Sequence, residues 1–220
     1  MTFTIGIIFS ILLIKYGNKK YKKENTVAGI FLIFISLIQL MDFLFWVDIN
    51  NNLGINKITT IIGPILNAAQ PLILYLIKVL YCKLDVLSPN KNEFIVNILN
   101  CLYLVYFIFK YITFIYNSKL TTSTYKGHLK WPWIRYFSST FYIVMFTINI
   151  FYMMNFNYAL ILFLATFSFL LLSVKFFNYN IGELWCFFGS FIPMIMLILS
   201  YYIPDISGYF NYIIKHSKRK

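Results

Sequence analysis

Seven apolar runs alternate with polar segments along the chain. They cover residues 3–16, 27–48, 58–82, 94–116, 134–154, 157–177 and 181–203. A helix that crosses a bilayer needs about 20 mostly apolar residues, and six of the seven runs reach this length. We interpret the short first run as a helix rather than a signal peptide, because no charged side chain precedes it and a lysine-rich segment follows it. The pattern predicts an all-α, polytopic transmembrane bundle of seven helices. This single domain occupies residues 1–220 and ends in a short basic tail, 204–220.

The composition favours a membrane protein. Hydrophobic residues make up 60% of the chain and charged residues 12%, whereas soluble domains average about 45–50% and about 25%. The mean hydropathy is +0.72. These values exclude an ordinary water-soluble fold and an intrinsically disordered chain.

The net charge of +12 is interpreted as a topology signal, and no nucleic-acid partner is expected. Lysines and arginines lie mostly between or beyond the apolar runs, most densely at 15–23 and 215–220. The positive-inside rule places such segments in the cytosol. With seven spans, the N-terminus is predicted outside and the C-terminus in the cytosol. A basic loop at 119–135 would then face outside, which opposes this assignment.

Polar side chains within the spans are the candidate functional residues, because a charge at the centre of a span costs about 2.5–3.5 kcal/mol on the insertion scale. Such residues recur at helical spacing on one face of the second, third, fourth and seventh spans. The predicted pocket and path consist of Gln39, Asp42, Trp46, Asn67, Gln70, Glu93, Asn97, Asn100, Glu183 and Ser190. A kink is expected where Pro64 and Pro71 interrupt the third span.

Several of these polar groups have a second interpretation. In it, Gln39, Asn67 and Gln70 only hold neighbouring helices together by hydrogen bonds, and Glu183 only extends to the interface. Asp42 has a short side chain that cannot reach the interface. It is therefore either paired, for example with Lys110, or protonated, or in contact with water.

The segment His128–Leu129–Lys130–Trp131–Pro132–Trp133 is distinctive for a loop. Two tryptophans around a proline give a rigid, amphipathic wedge. It is either an anchor at the membrane interface or a lid over the pocket, formed by His128, Trp131 and Trp133.

Four motifs carry a resemblance to a known family. They are IQLMDFLFW at 38–46, Gln70–Pro71, HLKWPW at 128–133 and ELWCFF at 183–188. Together they resemble an uncharacterised family of small seven-helix integral membrane proteins found in large DNA viruses and bacteria. Asp42 departs from the family pattern, in which Glu is expected. The resemblance implies a multi-pass fold in a membrane, which for a viral member is the host-cell or virion membrane. It implies no established activity.

Enzymatic functions are disfavoured. The seventh span has no lysine for a retinal Schiff base, and neither histidine lies in a span. Cys82, Cys101 and Cys186 form no metal-binding motif and are interpreted as small apolar residues. We predict no catalytic residue, metal site or cofactor.

Two functions remain open. In the first, the protein moves a small solute or ion along a polar path lined by the second, third, fourth and seventh spans. In the alternative, it is a ligand-sensing, lipid-sensing or host-interaction protein without transport. The expected partners are the lipid bilayer and a lipid or small-molecule ligand, and the oligomeric state is left open.

Overall fold

The computed structural model describes residues 2–82, 91–125, 127–152, 154–176 and 181–202. The described residues are all-helical, with 82% of them in helix and 3% in strand, as the apolar pattern predicts. The helices are α1 (Thr2–Tyr16), α2 (Lys22–Val47), α3 (Ile55–Ala68), α4 (Gln70–Cys82), α5 (Lys91–Asn117), α6 (Ser139–Phe151), α7 (Phe156–Phe176), α8 (Ile181–Gly189) and α9 (Ile192–Tyr202). A hairpin of β1 (Ser123–Tyr125) and β2 (His128–Lys130) separates α5 from α6.

Three helical segments in the described part of the chain are long and apolar enough to cross a membrane: Lys19–Val47, Glu93–Asn117 and Phe156–Phe176. The pair α3 and α4 passes the same test together, as one broken span bent by 60°. Helices α1, α6 and α9 are apolar but shorter. The structure therefore has three candidate spans, or four if the bent pair counts as one.

Two predicted helices are divided in the structure. The third run becomes α3 and α4, and the seventh becomes α8 and α9. Pro71 and Pro193 each occupy the second position of the helix that follows the break, where proline is tolerated because its missing N–H would have no partner there. The bend in the third run lies at Ala69, whereas Pro64 lies within α3.

The fifth run also begins later than predicted. Residues 134–136 form a 3₁₀ turn, and α6 starts at Ser139. Ser138 sets this boundary, because its hydroxyl oxygen accepts the backbone N–H of Phe141 at 3.3 Å and so caps the helix.

Helix α2 is central and packs against α1, α3, α4, α8 and α9. Its contact with α1 is close because small residues face each other. A Cβ added to Gly6 would lie 2.2 Å from the Ser36 hydroxyl oxygen, and one added to Gly29 would lie 2.9 Å from the Ser10 carbonyl oxygen. Small residues let the two backbones approach, as is common between membrane helices.

The break between α3 and α4 is held by side chains from α5 and α6. The Tyr103 hydroxyl donates to the Ala68 carbonyl at 2.8 Å, and the Asn149 amide donates to the Pro71 carbonyl at 3.0 Å. The Tyr142 hydroxyl donates to the side-chain oxygen of Gln70. The acceptors of Ala68, Gln70 and Pro71 at the break are therefore satisfied inside the protein, as apolar surroundings require.

Candidate functional site

A cavity of about 540 Å³ lies between the start of α1, the last third of α2, the hairpin and α8. We call it the Asp42 cavity. Its volume is within the range of about 300–1,000 Å³ typical of small-molecule sites. It is lined by Thr2, Phe3, Gln39, Leu40, Asp42, Phe43, Trp46, His128, Leu184 and Phe187.

The polar groups of the Asp42 cavity form a short chain. The Thr2 hydroxyl donates to the Gln39 amide oxygen at 3.0 Å, and the Gln39 amide nitrogen donates to an Asp42 carboxylate oxygen at 3.4 Å. These bonds fix which end of the Gln39 amide faces Asp42. Asp42 is 7% exposed and Trp46 is 44% exposed, so a buried carboxyl group and an open aromatic face share one cavity.

Beyond the lining residues of the cavity, three small residues of α1, α2 and the segment after α8 lie close together. One helical turn beyond Phe3, Gln39 and Phe187, the chain places Gly6, Ser36 and Ser190, which we call the floor. A Cβ on Gly6 would lie 2.2 Å from Ser36 Oγ and 3.5 Å from Ser190 Cβ. Both serines are fully buried. Contacts this close between small residues leave no room for a ligand to pass at this point.

The hairpin that carries His128 is fixed to α3 by buried polar groups. The Asn56 side chain is fully buried. Its amide donates to the Thr122 carbonyl at 2.9 Å, and its oxygen accepts the Thr122 N–H at 2.8 Å. The Thr60 and Thr122 hydroxyls lie 2.9 Å apart. This contact holds the segment before β1 and thereby positions the hairpin.

Asp48 holds the start of α3 in the same region. Its carboxylate accepts the backbone N–H of Leu53 at 3.0 Å and of Asn56 at 3.1 Å. Burial by itself would raise the pKa of the Asp48 carboxyl, but these backbone donors, with those of Asn52 and Ile55, outweigh it and lower the pKa below its usual value. Neither Asp48 nor Asn56 was among the residues predicted from the sequence. The Asn- and Asp-rich segment 48–52 was the available signal, because such residues favour side-chain to backbone bonds.

The structure separates the predicted site residues into different surroundings. Gln39, Asp42, Trp46 and His128 line the Asp42 cavity, and Ser190 is at its floor. Glu183 lies in the first turn of α8, and its side chain is outside the described part of the structure. Glu93 is half-buried in the first turn of α5.

The polar residues of the third and fourth runs are engaged in hydrogen bonds between helices. Gln70 accepts from Tyr142, and Asn97 accepts from the Tyr75 hydroxyl at 2.5 Å. Asn100 exchanges two hydrogen bonds with Asn149. These amides connect helices, and Gln70 thereby makes the interhelical bond of its second interpretation.

A buried cation lies beside this amide group. Lys78 is 1% exposed. Its ammonium group donates to the Asn149 carbonyl, to the Ile150 carbonyl at 3.3 Å and to the Tyr152 carbonyl at 2.6 Å. These carbonyls lie at the C-terminal end of α6, where the helix dipole favours a positive charge.

Of the predicted lid, the structure places only His128 at the Asp42 cavity. Trp131 and Trp133 are 5% and 2% exposed and stack on each other, with ring centroids 5.2 Å apart. The Trp133 ring fills the space above Gly63, where an added Cβ would lie 2.3 Å from it. Both rings are thus buried and absent from the lining of the Asp42 cavity, and for Trp133 the absent side chain of Gly63 provides the space.

The two tryptophans instead line a second cavity of about 380 Å³, which we call the Trp133 cavity. It lies between the end of α3, the segment 131–139, α6, α7 and α8. Asn67, the remaining predicted site residue, is on its wall. The two cavities thus lie on different faces of the molecule. The segment His128–Trp133 borders both, because His128 lines the Asp42 cavity and the two tryptophans line the Trp133 cavity.

Within the described residues, no group of three or more His, Cys, Asp or Glu side chains is arranged to hold a metal ion. Comparisons of the chain with protein-family models, curated proteins and solved structures found no match. Function must therefore be argued from the geometry of the cavities.

Proposed function

We propose that this protein is a seven-span membrane protein that binds a small organic cation in the Asp42 cavity. In this arrangement α3 and α4 form one span, and α8 and α9 form another. The N-terminus lies outside and the C-terminus in the cytosol, so the cavity opens outward. Five exposed lysines between Lys15 and Lys23, at the connection of α1 and α2, support this orientation.

The chemistry of the cavity favours a cation. The Asp42 carboxyl supplies an anionic acceptor, and charge-assisted hydrogen bonds are about twice as strong as neutral ones. The rings of Phe3, Phe43, Trp46 and Phe187 line the same space. A cation over an aromatic face gains about 0.5–1 kcal/mol when exposed and about 2 kcal/mol or more when desolvated. A compact ammonium compound uses both features together.

Binding without passage is supported by one observation, the contact of Gly6 with Ser36 and Ser190 at the floor. A conducting route needs space beyond the binding site, and here the three lining helices converge within one turn. The proposed protein is therefore a receptor or sensor for a ligand that enters and leaves by the same opening.

The experiment uses the full-length protein in lipid nanodiscs with choline as the cationic probe. Its neutral, isosteric analogue 3,3-dimethylbutan-1-ol serves as the matched ligand. Calorimetry is expected to show choline binding that weakens at least about tenfold in Asp42→Asn, which corresponds to about 1.4 kcal/mol. Glu24→Gln, which changes a carboxyl at the opposite end of α2 and outside the cavity, is expected to bind choline as the parent does. Equal affinity for choline and its neutral analogue would contradict the proposal.

Transport is the second candidate, and the broken span α3–α4 favours it. Interrupted helices are typical of secondary transporters, where they form the substrate site. The bend of 60° provides an element that could move. Uptake of labelled choline into proteoliposomes that Asp42→Asn changes several-fold would establish transport, whereas binding without uptake would establish the receptor.

The topology is tested with single cysteines in a chain lacking Cys82, Cys101 and Cys186. In intact cells, a membrane-impermeant maleimide is expected to label Ser123→Cys in β1. Lys20→Cys, at the opposite end of α2, is expected to react only after permeabilisation. The reverse pattern would place the N-terminus in the cytosol.

A further inference from the structure

The Trp133 cavity differs from the Asp42 cavity in its chemistry. Its polar wall consists of neutral groups, the Asn67 amide and the hydroxyls of Ser138 and Ser139. Among its described lining residues there is no charged side chain. A small cation or anion would gain no charge pairing here, so a neutral occupant is favoured.

Several hydrogen-bonding groups at this cavity lack partners. The indole N–H groups of Trp131 and Trp133 are buried and have no acceptor among the described residues. Such a group costs about 1–3 kcal/mol when left unsatisfied. The half-buried Asn67 side chain, on the same wall, makes no hydrogen bond within the described part of the structure. The two indole N–H groups are sealed off from the cavity space, so the Asn67 amide is the donor that an acceptor oxygen of an occupant can reach.

The cavity opens on an apolar surface that includes part of a candidate membrane span. Its rim includes Ile134, Leu171 and Val174, which are 47%, 54% and 39% exposed. Helix α7, which supplies two of them, is one of the candidate membrane spans. In a bilayer, the molecules in contact with this rim are acyl chains.

The size of the cavity fits one chain. A water-sized group occupies about 30 Å³ of liquid volume, so 380 Å³ accommodates about a dozen methylene-sized groups. A whole phospholipid, with two chains and a headgroup, does not fit.

We propose that the Trp133 cavity binds one acyl chain of a membrane glycerolipid. The chain lies among the apolar side chains of α6 and α7, and the neutral ester oxygens face the wall that carries Asn67. The lipid headgroup stays outside the cavity, where no charged partner is needed. This site is separate from the proposed cation site and does not depend on it.

The experiment uses tryptophan fluorescence of the full-length protein in vesicles. The background variant Trp46→Phe/Trp185→Phe retains only Trp131 and Trp133, both of which line the cavity. Vesicles of phosphatidylcholine with brominated acyl chains are compared with unbrominated ones, because bromine quenches indoles only at short range. Leu170→Phe fills the cavity from α7, and Val174→Phe fills it at the rim. Leu164→Phe adds the same group to α7 at a position that is 52% exposed and outside the cavity.

Strong quenching is expected in the background protein and in Leu164→Phe. It is expected to fall by about half or more in Leu170→Phe and Val174→Phe, because an excluded chain no longer reaches the buried rings. Thermal unfolding checks that each variant is folded, and Val174→Phe gives the test if Leu170→Phe does not fold. Equal quenching in the cavity-filling variants and in Leu164→Phe would overturn the proposal.

Discussion

The side chains of Asn100 and Asn149 form a reciprocal pair in which each amide nitrogen donates to the oxygen of the other. The two distances are 3.1 and 2.8 Å, and the residues are 2% and 0% exposed. Asn149 also donates to the Pro71 carbonyl at 3.0 Å. This pair therefore joins α5 and α6 to the start of α4, directly beside the break in the third apolar run.

Replacing Asn149 by alanine removes three of these bonds at once. Asn149→Ala is expected to lower the free energy of unfolding by about 1–3 kcal/mol, because the buried Asn100 side-chain oxygen and the Pro71 carbonyl lose their donor. The denaturation midpoint in detergent, followed by circular dichroism, measures this. Asn117→Ala removes one exposed bond at the end of α5 and is expected to have little effect. An equal shift of the denaturation midpoint in Asn149→Ala and Asn117→Ala would mean that the Asn100–Asn149 pair makes no specific contribution to stability.

Lys78 is expected to stabilise the end of α6. Its ammonium group contacts the final carbonyls of that helix, which would otherwise lack donors. In Lys78→Met, amide hydrogen exchange is expected to accelerate selectively in the last turn of α6. Lys110→Met serves as the control, since Lys110 is half-buried and lies over the Phe109 ring. Unchanged exchange at the end of α6 in Lys78→Met would show that the contact is dispensable.

Gly63 and Gly189 give a matched pair of substitutions. Alanine is favoured over glycine in a helix by about 1 kcal/mol, so Gly→Ala should be neutral or stabilising where space permits. At Gly189 the added Cβ would lie 3.7 Å from Ile35 and fits. At Gly63 it would lie 2.3 Å from the Trp133 ring, and displacing a buried ring costs about 1–3 kcal/mol. Gly63→Ala is expected to lower the unfolding midpoint and shift the tryptophan emission, whereas Gly189→Ala should do neither.

Asp48 makes stability depend on pH. Its folded-state pKa is lowered from the usual value of 3.8, so the charged form stabilises the fold. This contribution is complete above the unfolded-state pKa and is lost as the pH falls through the lower folded-state pKa. The difference in unfolding midpoint between the parent and Asp48→Asn is therefore expected to be large at pH 7 and to shrink below about pH 4. A difference that grows on acidification would contradict this assignment.

Helical spacing was enough to place Gln39, Asp42 and Trp46 on one face of α2, and the structure puts that face at a cavity. This worked because all three lie within one unbroken helix. The same reasoning could not assign Gln70 or Asn100 to interhelical bonds, since their partners Tyr142 and Asn149 lie elsewhere in the sequence.

The burial of Trp131 and Trp133 could not be predicted for a similar reason. Whether an aromatic loop residue is exposed or buried depends on the surface that receives it. Here that surface is created by Gly63, a residue that carries no signal of its own in the pattern. The burial of Lys78 could not be predicted from the sequence either. Its partners are backbone carbonyls, which are present at every position and therefore leave no mark in the sequence.

The segment from His128 to Trp133 is a wall of both cavities, with His128 facing one and the two tryptophans facing the other. A movement of this segment changes the shape of both cavities at the same time. If filling one cavity shifts the segment, thermodynamic reciprocity requires that filling the other shifts it with the same coupling free energy. Binding from the bilayer into the Trp133 cavity and binding from water into the Asp42 cavity would then be coupled through the six residues from His128 to Trp133.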